Sequence, residues 1–196
     1  MKCTSIKTPL IASLLTLALG GGLVLNTVQA ADTSHAVIVG GRSMMPSKDI
    51  IDNAVNSADH TTLVAAVKAA GLVDTLKGKG PFTVFAPVNS AFTALPAGTV
   101  DTLLKPENKA ALSKLLTYHV VAGKLDMMTL AEKIKAGGGK TELTTVAGGK
   151  LWATMNGPHN ITIKDEKGDV ADITTYDVYQ SNGVIQVIDK VLMPKS

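Results

Sequence analysis

Histidine side chains are the groups in this sequence best suited to acid–base or metal chemistry. The four of them are His35, His60, His119 and His159. No two are four residues apart, the spacing that places two metal ligands on one face of a helix. The single cysteine, Cys3, stands near the N-terminus and offers no clustered thiolates for zinc or iron–sulfur binding. The pattern therefore predicts neither a metal site nor a cofactor, and we expect His60 and His159 to be solvated.

His119 follows Tyr118 in an apolar stretch, Tyr118–Val121, that has the composition of a short strand. We interpret it as a core histidine that hydrogen-bonds a polar neighbour, with Asn89 as the candidate partner. A ligand-binding or catalytic role for His119 is the alternative. The sequence contains no nucleophile elbow, phosphate loop or dinucleotide fingerprint. We therefore predict a protein that is not an enzyme.

Three carboxylates at Asp165, Glu166 and Asp169 are close enough in sequence to suggest a calcium loop. They lack the alternating ligand positions of an EF-hand loop. A solvated hairpin turn explains the same residues, and this is the interpretation that we favour.

The N-terminus has the features of a secretory signal peptide. Lys2 and Lys7 precede a mostly apolar run from Leu10 to Leu25, and small residues lead up to Ala30. The alternative is an uncleaved membrane anchor, but the run of about 16 residues is shorter than the roughly 20 needed to span a bilayer. We predict cleavage after Ala30, a secreted or periplasmic location, and no transmembrane anchor after cleavage.

Cleavage divides the chain into a signal peptide (1–30), a lead-in segment (31–47) and a single domain (48–196). Removal of Lys2 and Lys7 leaves 17 basic and 16 acidic residues, which is not the charge pattern of a nucleic-acid-binding protein. Hydrophobic residues make up 45% of the chain and charged residues 18%, so a largely disordered chain is excluded.

Periodicity predicts an α+β domain, with helices mostly in its first half and strands in its second. Apolar residues recur at helical spacing in Asp49–Val55 and Leu63–Ala70, whereas they alternate with period two after Leu143. Asn182–Gly183 is a strong hairpin signal. The following run, Val184–Leu192, is apolar on both faces, which predicts a central, buried strand.

Three segments resemble signatures of the fasciclin domain family. Thr83–Phe92 is similar to its first signature, Tyr118–His119 to its central Tyr-His pair, and Asn182–Asp189 to its second signature. The resemblance extends from about Lys48 to Pro194, and the lead-in looks like that of bacterial, single-domain, secreted members. The pattern departs from the family at two positions, where Val88 replaces a common Thr and Gln186 a common His.

The resemblance implies a β-sandwich wedge with helices packed around it, and a role in extracellular adhesion or matrix association. In animal members, the Tyr-His region and the segment after the second signature are linked to integrin binding. The motif residues that become candidates for structural or interaction roles are Asn89, Tyr118, His119, Asn182, Gly183, Asp189, Lys190, Val191 and Leu192.

The predicted function is a secreted or periplasmic, non-enzymatic adhesion or interaction module. Its predicted partner is a protein or polysaccharide at the cell surface or in the matrix. The alternative is a carrier of a hydrophobic small molecule such as a carotenoid or lipid, since some algal fasciclin-like proteins bind carotenoids. The side chains available to line such a site are Trp152, Met155, Met127 and Met128.

Overall fold

The structure, a computed structural model, describes residues 36–195. The predicted signal peptide, its cleavage site at Ala30, Cys3 and His35 lie outside the described residues. Within them, the helices are α1 (Ile50–Ala54), α2 (Thr61–Ala70), α3 (Val73–Lys77), α4 (Asn89–Thr93), α5 (Thr99–Leu104), α6 (Lys109–Tyr118) and α7 (Met127–Ala136). Two 3-10 turns span Ala58–His60 and Pro106–Asn108.

The strands are β1 (Val37–Val39), β2 (Arg42–Met44), β3 (Phe82–Pro87), β4 (Val120–Ala122), β5 (Lys140–Thr144), β6 (Lys150–Met155), β7 (Ile161–Lys164), β8 (Val170–Gln180) and β9 (Gly183–Ile188). All the α-helices of the described residues precede β5, whereas β5 to β9 follow one another without an intervening helix. The predicted α+β class is therefore confirmed, and its physical basis is the change from helical to alternating periodicity.

Seven strands form one sheet in the order β4-β3-β9-β8-β7-β6-β5. Most neighbours are antiparallel, but β3 and β9, the second and third strands in this order, run parallel. The two ends of the sheet meet through a bridge between Val121 and Thr145, beside which the N–H of Val146 donates to the carbonyl of Val120 at 2.7 Å. The sheet is therefore nearly closed into a barrel.

Strand β9 is buried along its whole length, as its apolar pattern predicts. Its predicted extension to Leu192 is wrong, because the strand ends at Ile188. At this end of β9 the carbonyl of Ile188 accepts from the N–H of Val88 at 3.2 Å, and the Asp189 side chain accepts from the N–H of Asp172 at 2.8 Å. Val191 and Leu192 are nevertheless buried.

The core consists of two apolar clusters on the two faces of the central strands. One fills the space between the sheet and α1–α6, and the other lies between α7 and strands β5–β8. Strand β3 serves both, because Val84 and Ala86 face the first cluster and Phe85 faces the second. Burial on both faces explains why the parallel strands β3 and β9 are so apolar.

A small hairpin formed by β1 and β2 packs on the first cluster. Val39 and Met44 of this hairpin are buried in the core, although their sequence neighbourhood is the predicted lead-in. Gly40 makes its turn close to the backbone of Ala58 and Asp59, where a Cβ atom would collide. Part of the lead-in thus contributes to the packing of the domain.

Candidate functional site

The Tyr-His pair lies at the end of a helix rather than in a strand. Tyr118 is the last residue of α6 and His119 caps it, its N–H donating to the carbonyl of Leu116 at 3.1 Å. The predicted strand Tyr118–Val121 is therefore wrong for its first two residues. The last carbonyls of a helix need donors, and the backbone and ring of His119 both supply them.

The Tyr118 hydroxyl joins α6 to the far side of the sheet. It donates to the carbonyl of Lys150 at 2.8 Å and accepts from the N–H of Glu166 at 3.1 Å. Burial raises the pKa of Tyr118 to about 12. The phenol is therefore neutral at physiological pH, and both of its hydrogen-bonding functions are used within the fold.

The His119 imidazole is buried, with a proton arrangement that its partners fix. Nδ1 lies 2.9 Å from the carbonyl of Leu115, which can only accept, so Nδ1 carries the proton. Nε2 accepts from the N–H of Leu192 at 2.9 Å. Burial lowers the pKa of His119 to about 4. This geometry matches the predicted core role of His119. Its hydrogen-bond partners, however, are Leu115 and Leu192 rather than Asn89.

Asn89 instead caps helix α2 from a distance. Its Oδ1 accepts from the N–H of Thr62 at 3.0 Å and from the hydroxyl of Thr61 at 3.2 Å, and its Nδ2 donates to the carbonyl of Ala58 at 2.9 Å. Helix α2 has no side-chain cap from its own N-cap residue, His60. Asn89 thereby satisfies a donor that would otherwise be left free at the helix start.

Asn182 ties together three segments that are far apart in sequence. Its Oδ1 accepts from the N–H of Ile50 at 3.1 Å, and its Nδ2 donates to the carbonyls of Leu76 and Gly78 at 2.7 and 3.1 Å. The adjacent Gly183 is buried, and a Cβ atom there would collide with a backbone carbonyl of β3. These two residues therefore position the hairpin against α1 and the end of α3.

The segment Asp189–Leu192 is bound to the rest of the fold along its length. Asp189 accepts from the N–H of Asp172 at 2.8 Å, and Lys190 donates to the carbonyl of Val170 at 2.9 Å. Val191 and Leu192 are buried in the two core clusters. Of the four, only Lys190 has an exposed side chain.

Gln186 and Asp177 form a hydrogen-bonded polar pair that the sequence analysis did not predict. Gln186 donates from Nε2 to the carbonyl of Leu125 at 3.1 Å and to Asp177 at 2.9 Å, and its Oε1 accepts from the N–H of Asp177 at 3.1 Å. Asp177 adopts a positive φ of 55° where β8 changes register. At the position where the family commonly has His, Gln186 therefore uses its amide to hold this irregularity of β8.

His60 is buried, so its predicted solvation is wrong, whereas His159 is exposed as predicted. The 3-10 turn Ala58–His60 directs the ring inward, where Nδ1 lies 2.8 Å from the Ser57 hydroxyl. Nε2 has no hydrogen-bond partner within the described part of the chain. Burial lowers the pKa of His60.

Asp165 organises the turn between β7 and β8. Its Oδ1 accepts from the N–H groups of Lys167 and Asp169, both at 2.9 Å, and its Oδ2 accepts from the N–H of Met193 at 2.8 Å. The turn lies where the sequence predicts it, but the predicted solvation fails for Asp165, which is 1% exposed. Among residues 36–195, no three His, Cys, Asp or Glu side chains gather as a metal site.

The four residues predicted to line a hydrophobic carrier site do not share a cavity. Met128 is exposed, whereas Met127 and Met155 pack on the second cluster. Trp152 lies on the outer face of β6, with its indole N–H 3.3 Å from Glu142. An apolar cavity lies elsewhere, beneath α1 and α2, and has a volume of about 50 Å³. That is well below the ~150 Å³ of a cavity that holds benzene.

The domain is a nearly closed mixed sheet, wrapped by helices and held by buried polar residues at its turns and helix ends. The sequence profile of the fasciclin domain matches residues 58–194. The chain belongs to the fasciclin domain family. Its signature residues are thus in large part the residues that hold this fold together.

Relatives and solved structures agree with this assignment. The chain is 43% identical over 180 residues to Protein sll1483 of Synechocystis sp., covering 89% of this chain and 91% of that protein. It is 35% identical over 155 residues to Cell surface glycolipoprotein MPB83 of Mycobacterium bovis, covering 76% and 62%. A FAS1 domain pair from the insect cell adhesion molecule fasciclin I matches with a TM-score of 0.68 at 17% identity. The match covers 76% of this chain and 52% of that domain pair.

The wedge-like fasciclin fold expected from the resemblance is therefore confirmed. The family is associated with cell adhesion and with proteins of the cell surface. None of the helices in the described region has both the length and the apolar character needed to cross a bilayer.

Proposed function

We propose that the chain is a secreted or periplasmic interaction module without catalytic activity, which attaches to a protein or polysaccharide at the cell surface or in the extracellular matrix. The observation that carries this proposal is membership of the fasciclin family over most of the chain. The N-terminal signal pattern supports the location outside the cytoplasm.

The hydrogen bonding of the Tyr-His pair supports a role without catalysis. A general base needs a free lone pair at a position that substrate can reach. Both nitrogens of His119 and the hydroxyl of Tyr118 are engaged with backbone groups inside the fold. Burial lowers the pKa of His119 and raises the pKa of Tyr118, so neither shift needs a catalytic explanation.

Deletion of the gene in its native host tests this function. We expect the deletion strain to lose surface attachment or matrix formation, and the full chain supplied in trans to restore it. Fractionation and mass spectrometry of the tagged protein should locate it outside the cytoplasm with Ala31 as its first residue. A deletion strain that attaches and forms matrix as well as its parent would contradict the proposal.

The carrier alternative has less support, because the apolar cavity of about 50 Å³ is small for a carotenoid or a lipid chain. Purification from the native source, followed by solvent extraction and mass spectrometry, tests it. A stoichiometric pigment or lipid in the extract would favour the carrier, whereas an empty extract would favour the interaction module.

A further inference from the structure

A surface cleft of about 490 Å³ lies where the α3–β3 loop meets the β8–β9 hairpin and the loop that precedes α7. This volume falls in the range of roughly 300–1,000 Å³ that ligand sites occupy. The hairpin contributes Asn182 and Gly183 of the second signature. The cleft thus places part of the second signature beside an accessible surface.

Lysines give the cleft its charge. Its lining contains Lys77, Lys79 and Lys124 but no carboxylate. Lys77 is partly neutralised, because it pairs with Asp52 at 2.6 Å and with Asp49 at 3.7 Å on the rim. Lys79 and Lys124 are exposed, and neither pairs with a carboxylate of residues 36–195.

The position of Lys124 is defined by an aromatic neighbour. Its Nζ lies 4.4 Å from the centre of the Tyr179 ring, a cation–π contact. The nearby Asp126 is occupied in capping α7, where it accepts from the N–H of Thr129 at 2.9 Å. The charge of Lys124 helps to lower the pKa of Asp126, but Lys124 forms no ion pair with a carboxylate of residues 36–195, so its ammonium group can still approach an anion in the cleft.

The floor of the cleft is built before any ligand arrives. Gly80 packs so closely on the Asn182 carbonyl that a Cβ atom would collide with it. The Asn182 side chain holds the carbonyls of Leu76 and Gly78 on the other side. A preorganised floor lowers the ordering cost of binding.

We propose that this cleft binds a carboxylate-bearing polysaccharide, an inference that rests on the proposed interaction function and names its ligand class. Lys79 and Lys124 pair with carboxylates along the polymer, and the exposed Ser181 hydroxyl meets sugar hydroxyls. Pro81 is the only apolar side chain in the lining, apart from lysine stems. The cleft therefore lacks the apolar pockets with which protein surfaces anchor peptides.

Calorimetric titration of the protein as it is secreted, without further truncation, tests the proposal. The probes are polygalacturonate, neutral dextran and monomeric galacturonate. We expect polygalacturonate to bind and dextran not to bind. The double variant Lys79→Glu/Lys124→Glu should weaken binding by about tenfold or more, because it replaces both attractive charges with repulsive ones. The matched control, Lys133→Glu/Lys135→Glu on the exposed face of α7, has the same net charge and should change the affinity less than about threefold.

The proposal would be overturned by no binding of polygalacturonate, by equal binding of dextran, or by an equal loss in the control variant. Monomeric galacturonate that binds as tightly as the polymer would also overturn it, since the site would then recognise an isolated anion. If the double variant melts below the wild type, the single variant Lys79→Glu decides, because Lys79 is exposed. If the double variant fully restores attachment to the deletion strain, the cleft proposal fails while the proposed function stands.

Discussion

The backbone N–H of Leu192 donates a hydrogen bond of 2.9 Å to Nε2 of His119, across 73 residues of sequence. The other ring nitrogen of His119 binds the carbonyl of Leu115 at 2.9 Å. One imidazole therefore links the end of α6 to the C-terminal segment. Two regions that the family resemblance presents as interaction candidates are in this protein the two sides of one structural contact.

Replacement of His119 by Ala should lower the free energy of unfolding by about 1–3 kcal/mol, because it leaves the Leu192 N–H and the Leu115 carbonyl buried without partners. Urea denaturation followed by circular dichroism measures the change. The control His159→Ala removes an exposed histidine and should stay within about 0.5 kcal/mol of the wild type. Equal stability of the two variants would contradict the structural role.

The free energy of unfolding should fall as the pH drops from about 6.5 to about 4. The pKa of His119 is lowered from 6.5 to about 4 in the fold, so the unfolded chain binds its proton first. The stability that depends on a neutral His119 is fully present above pH 6.5 and is lost as the pH falls toward 4, with a total on the order of 3 kcal/mol. Burial also lowers the pKa of His60, which therefore adds a further loss of stability on acidification.

Urea titrations at several pH values between 7 and 5 measure this dependence, since most carboxylates titrate below that window. The His119→Ala variant should show a shallower slope there. A wild-type slope as shallow as that of the variant would contradict the assignment of the neutral imidazole.

Replacement of Asn182 by Ala should destabilise the fold by roughly 2–4 kcal/mol, because it removes the partner of three backbone groups, two carbonyls and one N–H. Asn182→Asp keeps the acceptor for the Ile50 N–H but loses both donors, so we do not expect it to restore stability. Asn156→Ala, in an exposed turn, is the matched control. Thermal melts of the three variants measure these differences, and Asn156→Ala should show the smallest loss of stability.

Asn89→Ala should cost about 1 kcal/mol, the usual effect of losing a helix N-cap. Asn89→Asp retains the oxygen that accepts from Thr62 and places a negative charge at the start of α2, so it should recover part of the loss. Hydrogen exchange at the first turn of α2 measures the effect locally. Unchanged exchange in Asn89→Ala would contradict the capping role.

Val88→Thr should stabilise the protein by about 0.5–1 kcal/mol. Val88 is the N-cap residue of α4 and its side chain makes no capping hydrogen bond, whereas Thr supplies a hydroxyl acceptor. Val88→Ala removes packing without adding a cap and should be destabilising. A shift of the urea midpoint in the same direction for both variants would show that packing, not capping, governs this position.

Sequence patterns predicted the parts of the fold that depend on local periodicity. Helices and strands segregate as expected, and β9 is central because its residues are apolar on both faces. The hairpin between β8 and β9 lies where Asn182–Gly183 predicts it, but its two loop residues are Ser181 and Asn182, and Gly183 is the first residue of β9. The signature residues were also found from the sequence, through their resemblance to a family.

The partners of the polar side chains could not be predicted, because they come from distant segments. Asn89 reaches the start of α2, 27 residues away, and no local pattern identifies a cap of that kind. Tyr118 has high strand propensity, yet it ends a helix because its ring fills the second core cluster. Burial of His60 likewise follows from tertiary packing rather than from its polar neighbourhood.

The bridge between Val121 and Thr145 has a consequence for the behaviour of the protein at high concentration. Open strand edges are templates for pairing with other chains, which is a route to aggregation. Where the ends of this sheet meet, β4 is only three residues long and β5 carries Lys140 and Glu142. The near closure of the seven-stranded sheet thus leaves little open edge along β4 and β5 for pairing with another chain.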